Sequence, residues 1–70
     1  MIQGTVKWFS KEKGYGFITC EELKKDLFVH FKGITGDKFR FLVEGENVEF
    51  NAQESEKGTM AVDVRKIAVQ

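Results

Sequence analysis

Seventy residues, 41% hydrophobic and 31% charged, describe one globular domain over residues 1–70 rather than a disordered tail. Eleven basic and eleven acidic side chains cancel, which excludes the long-range basic field that gathers phosphate-rich partners. No stretch reaches the roughly 18 apolar residues of a membrane span, and the start lacks a secretory pattern. The single cysteine, Cys20, rules out an internal disulfide and argues against a zinc cluster. A monomer in a reducing cytoplasm, without a membrane association, metal or cofactor, is the expectation.

Ile2 through Phe9 is rich in β-branched and aromatic residues, Lys11–Gly14 reads as a charged turn, and Tyr15–Cys20 resumes a strand. Thr5–Phe9 and Tyr15–Cys20 are therefore expected to pair antiparallel. Alternation puts Tyr15, Phe17 and Thr19 on one face of the second strand and Gly16, Ile18 and Cys20 on the other. In Leu27–His30 the same rule separates Phe28 and His30 from Leu27 and Val29. The first strand is less regular: Val6 and Trp8 share a parity, so a core Val6 with an exposed Trp8 requires a bulge or strong twist.

Glu21–Lys25 has room for one helical turn, too short to stand alone, and Phe31–Ile34 for a similar turn. Residues 32–44 read mostly as a long connection, with turn chemistry at Gly36-Asp37. Val48, Phe50 and Ala52 alternate with polar residues in a fourth half-buried strand, and Glu54–Gly58 is a polar turn. Met60, Val62 and Val64 alternate in a fifth, followed by Ile67–Val69. Five short strands without a long helix predict an all-β barrel, which hides the edges a flat sheet would expose. The expected core is Ile2, Val6, Ile18, Leu27, Val29, Ile34, Val48, Phe50, Val62 and Val64.

The functional signal is the number of large rings left over. Seven Phe, one Trp and one Tyr make 13% aromatics, clustered in residues 8–50. If the second and third strands pair, Tyr15, Phe17, Phe28 and His30 form a two-by-two array on the face away from the core. An exposed apolar array asks for a ligand, and nucleobases suit it because every base has a face to stack. Lys7, Lys11 and Lys13 surround the region, and residues 1–40 carry eight basic against five acidic side chains. Two other readings of the residues stand beside this one. The rings pack the barrel interior, a role suited to Phe9 and Phe50, or the groove receives an apolar or proline-rich peptide. An enzyme is not expected: Cys20 and His30 face opposite ways, and Ser10, Asp26 and His30 form no triad by spacing.

The segments Lys13-Gly14-Tyr15-Gly16-Phe17-Ile18 and Leu27-Phe28-Val29-His30-Phe31 resemble the two nucleic-acid-binding motifs of the bacterial cold-shock protein family. The opening Gly4-Thr5-Val6-Lys7-Trp8-Phe9 also matches, and the resemblance covers essentially the whole chain. It implies a five-stranded antiparallel OB-fold-like barrel that binds single-stranded RNA and DNA. It further implies an RNA chaperone that opens weak secondary structure without ATP and affects transcription or translation, with a role in stress response. Carried over residue by residue, it assigns base stacking to Trp8, Tyr15, Phe17, Phe28, His30, Phe31 and Phe39, with Lys7 and Lys13 as polar or phosphate-contacting neighbours. The sequence departs from the family pattern in four places. Ser10 replaces the usual Asn or Asp, and the Glu21–Lys25 connection is slightly long and more basic. Thr59-Met60 stands where Pro-Gln is common, in a chain without proline. Arg40-Phe41 is less polar than usual, so Phe41 is either a small core addition or an extra exposed ring.

Overall fold

The computed structural model describes residues 1–35, 41–56 and 58–67. It contains five strands: β1 (Ile2–Ser10), β2 (Tyr15–Cys20), β3 (Lys25–His30), β4 (Asn47–Ser55) and β5 (Gly58–Lys66), with a 3₁₀ turn over Phe31–Gly33. They close into a barrel in the order β1-β2-β3-β5-β4. Four neighbouring pairs are antiparallel, as expected, and β3 with β5 is parallel. Parity requires this: strand direction cannot alternate around a closed ring with an odd number of members. The parallel seam is short, with Phe28 opposite Met60 and Val29 opposite Ala61. Beyond the 3₁₀ turn, Ile34 continues the seam by bridging to Val64, and the Thr35 amide donates to the Val64 carbonyl at 2.8 Å.

Two register shifts shape the barrel. In β1, Val6 faces Ile18 and Trp8 faces Phe17, so Lys7 is the extra residue of a bulge. That is the irregularity the Val6/Trp8 parity demands. Val6 is 1% exposed and Trp8 38%. In β5, Glu49 pairs with Arg65 and Asn51 with Val62, so Phe50 stands against both Asp63 and Val64. Asp63 has a left-handed backbone (φ 53°), a conformation a short polar side chain tolerates better than a branched one. The bulge changes the phase of β5. Ala61 and Val64 are buried, whereas Val62, expected in the core, is only half-buried.

The remaining core follows the periodicity closely. Val6, Ile18, Leu27, Val29, Ile34, Val48, Phe50 and Val64 are buried as expected, joined by Cys20, Leu42 and Ala61. Ile2 and Phe9 pack against this cluster while partly exposed. Ala52, expected on the half-buried face of β4, is exposed, because β4 from Asn51 onward runs out past the core. The Glu21–Lys25 connection is not helical. Lys24 takes a left-handed backbone (φ 55°) and its amide donates to the Glu21 carbonyl at 3.2 Å, after which Lys25 begins β3. One turn's worth of residues does not repay helix nucleation.

Two glycines set the approach of β1 to β2. Gly14 (φ 80°) closes the turn, its amide donating to the Ser10 carbonyl at 2.7 Å. Gly16 is buried between Phe9 and Val29, and a Cβ there would strike the Trp8 carbonyl and lie 2.6 Å from Phe9 Cα. Gly16→Ala is expected to destabilise by about 1–3 kcal/mol, since the clash is with backbone, measured by urea denaturation. Phe50→Ala, which empties a fully buried ring site, is expected to cost about 3–5 kcal/mol. That approaches the whole stability of so small a core, so its far-UV circular dichroism should show loss of fold near room temperature.

Candidate nucleic-acid interface

The β1 bulge and the strand registers place four side chains in one row. Trp8 faces Phe17, Phe17 faces Phe28, and Phe28 faces Met60, crossing β1, β2, β3 and β5. Tyr15 and His30 face each other in the next row. Ring centroids lie 5.5 Å apart for Trp8 and Phe17, 5.8 Å for Phe17 and Phe28, and 5.7 Å for Tyr15 and Phe28. The pairs are tilted or edge-on, at 31° to 77°. This is the geometry ring quadrupoles favour, and it leaves ring faces uncovered by their neighbours. Gly16, Ile18, Leu27 and Val29 are buried on the reverse side of the same strands. The rings are therefore surplus to the barrel interior.

At one end of the platform, His30 and Phe31 lie 4.5 Å apart. His30 caps the 3₁₀ turn, its Nδ1 accepting from the Lys32 amide at 3.2 Å. Neutral His30 then carries its proton on Nε2, which can donate to a ligand. At the other end, Phe17, Phe28 and Met60 form one wall of a groove of about 650 Å³ with Ser55, Glu56, Gly58 and Thr59. Its rim is internally satisfied: Lys25 Nζ donates to Thr59 Oγ1 at 2.6 Å, and that hydroxyl donates to Glu54 Oε1 at 2.8 Å.

The lysines divide. Lys7, the bulge residue, reaches across β2 to Asp26 Oδ2 at 2.8 Å. The Lys7 hydrogen bond, then its charge and a hydrogen bond to Thr19, hold the Asp26 carboxyl below its ordinary value against some desolvation. A lowered value means that the pair favours the folded state from neutral pH down through the ordinary carboxylate range. The contribution disappears only as pH falls through the lowered value. Lys13 is exposed, and its amide donates to Ser10 Oγ at 3.1 Å. Ser10 thus spends its side chain on the turn.

Of the residues singled out from sequence, Trp8, Tyr15, Phe17, Phe28, His30 and Phe31 come together in one platform. Lys13 lies on the turn beside Phe31, and Lys7 is engaged with Asp26. Phe39 lies outside the described residues. Met60, marked in the sequence only by the Thr59-Met60 departure from the family pattern, is not among the expected site residues because alternation places it on the side of Val62 and Val64. Only the β5 bulge, which periodicity cannot reveal, turns it toward Phe28. Among the described residues no group of three or more His, Cys, Asp or Glu side chains could hold a metal ion, and no helix is long and apolar enough to cross a membrane.

Comparison with known proteins agrees with this geometry. The family model of the 'cold-shock' DNA-binding domain matches residues 2–67. The cold shock-like protein CspC of Escherichia coli K12 is 53% identical over 66 residues, covering 94% of this chain and 96% of that protein. The major cold shock protein of Micrococcus luteus is 51% identical over 67 residues, covering 96% and 100%. Among solved structures, the CSD456 segment of Drosophila Unr superposes with a TM-score of 0.79 at 29% identity, covering 99% of this chain and 29% of that longer one. The chain belongs to the cold-shock domain family of nucleic-acid-binding proteins.

Proposed function

We propose that this protein binds single-stranded RNA and DNA with low sequence specificity, stacking unpaired bases on Trp8, Tyr15, Phe17, Phe28, His30 and Phe31. The observation that carries this reading is the row of rings Trp8, Phe17 and Phe28 across three strands, backed by a core that does not need them. A duplex hides its base faces, so the platform selects strands that are already open. Binding energy then shifts the equilibrium of a weak hairpin toward its open form without ATP. This is the action of an RNA chaperone, and one able to affect transcription or translation. The single domain over residues 1–70 acts as a cytoplasmic monomer, by binding rather than catalysis.

The rings carry most of the affinity. Lys7 is already paired with Asp26, which leaves Lys13 and its neighbours on the Lys11–Gly14 turn for phosphate. Each phosphate engaged contributes about −0.7 to the log-log salt slope, so the slope is shallow.

Fluorescently labelled single strands are expected to bind far more tightly than the matching duplex, and equal affinities would sink the single-strand reading. Phe17→Ala and Phe28→Ala should each weaken binding by roughly 1–3 kcal/mol while the barrel stays folded. Unchanged titrations for both would return the rings to a packing role. Asp26→Asn removes a carboxylate from the flank of the platform and releases Lys7. It should tighten binding and steepen the salt slope by up to about 0.7, read from titrations at several salt concentrations.

A further inference from the structure

Three of the four side chains in the row across β1, β2, β3 and β5 are rings, and the fourth is the thioether of Met60. Met60 stands opposite Phe28 on β3 and opposite Gln53 on β4. It is half-buried and lines the groove of about 650 Å³ beside Phe17 and Phe28. A thioether packs well against rings because it is soft and adaptable. Unlike the rings, it turns polar in one covalent step. Hydrogen peroxide transfers an oxygen atom to a lone pair of the sulfur, the O–O bond breaks, and water leaves. The sulfur is oxidised to the sulfoxide and the peroxide is reduced.

The chain has two other sulfur atoms, in Met1 and Cys20. Cys20 is 1% exposed in the core, with its Sγ 3.7 Å from the Gln3 carbonyl, and a thiol so buried is inert. Met1 is 60% exposed but precedes β1 and lies neither in the row nor along the groove. Met60 alone is both reachable from solvent and part of the ring face.

The surroundings of Met60 offer its oxide little. The Ser55 hydroxyl donates to the Gly58 carbonyl at 2.7 Å, and the Thr59 hydroxyl donates to Glu54 Oε1 at 2.8 Å. Neither is free for a sulfoxide oxygen, which is left to water or to the Gln53 amide across the strand pair. In both cases a polar group replaces an apolar one beside Phe28. Stacking a base over it then costs desolvation. The buried Val29 and Ala61 alternate to the opposite side of the same strands, so the change falls on the binding face rather than on the core.

We infer that Met60 is an oxidation site, and that its sulfoxide loosens the hold of this end of the platform on single strands. The inference rests on the single-strand binding proposed above. The modification is reversible, since methionine sulfoxide reductases act on each sulfoxide epimer.

The test exposes wild-type protein, Met60→Leu and Met1→Leu to graded hydrogen peroxide. Peptide mass spectrometry locates the added oxygen, thermal melts report the fold, and titration with a labelled oligothymidylate reports affinity. Wild type and Met1→Leu should lose affinity in step with sulfoxide at Met60, by up to the roughly fivefold to hundredfold that one stacked base contributes. Reduction by the two reductases should restore it. Met60→Leu, which keeps Cys20, Trp8 and Met1, should bind equally before and after peroxide. Met60 staying reduced while Met1 is fully oxidised overturns the inference, as does oxidised Met60 with unchanged affinity or an equal loss in Met60→Leu. If Met60→Leu unfolds, the reductases decide on the wild type: Met60 returned to thioether with affinity still lost overturns the inference. Absence of binding by the untreated wild type would defeat the single-strand reading, and this inference with it.

Discussion

The extra residue in β1 is the feature on which both the core and the binding face depend. A regular strand would send Val6 and Trp8 to the same side, and either the core would lose a valine or the surface a tryptophan. Lys7 resolves this by standing out of register, so that Val6 meets Ile18 inside and Trp8 meets Phe17 outside. The bend that accompanies a bulge also lets one strand serve two neighbours, β4 through its first half and β2 through its second. Gly16 is the complement of that bend, since only a residue without Cβ admits the β1 backbone at that distance.

Closing a ring of five strands requires one parallel contact, and its location has a functional consequence. The seam falls between β3 and β5, which brings Met60 alongside Phe28 and extends the ring row to a fourth strand. The β5 bulge at Asp63 repeats the logic of the first. It turns Val64 inward beneath Phe50 while leaving Ala61 as the small residue at the seam. Met60 replaces a hydrogen-bonding side chain common in the family with an adaptable apolar one, and the adjoining polar rim, Lys25 to Thr59 to Glu54, is already satisfied. In the proposed function such a surface would accept a base by shape and stacking rather than by reading its edge. That suits a protein whose proposed work is on many sequences.

In the proposed binding, electrostatics plays a secondary and local part. The chain has no net charge to attract a polyanion from a distance, and Lys7 is neutralised by Asp26 beside the platform. The Lys11–Gly14 turn holds two lysines, Lys11 and Lys13, with Glu12 between them, beside the Phe31 and Phe41 rings. Phe41 is thus neither of the plain alternatives raised by its sequence position. It is half-buried, with the Lys11 and Lys66 ammonium groups 4.6 Å and 5.2 Å from its centroid.

What the sequence by itself determined was whatever depends on period-two alternation and on residues too large or too small to be incidental. The strand pattern, most of the core, and the pairs Tyr15 with Phe17 and Phe28 with His30 were all legible, because side chains in a strand alternate faces whatever the tertiary context. The need for a bulge near Lys7 was legible too, as a contradiction between parity and hydrophobicity. The family motifs supplied Trp8 and Phe31 as members of the same surface. The tertiary structure decided what alternation cannot carry across a break in register. Val62 left the core, Ala61 entered it, Ala52 on the half-buried face of β4 became exposed, and Met60 joined the ring row, all through the phase change at Asp63 or the overhang of β4. It also decided which charges are engaged, since the Lys7–Asp26 pair joins residues 19 apart and exists only because β1, β2 and β3 lie side by side. The aromatic patch was written locally. Its extent and its charge were set by which strands the closed ring made neighbours.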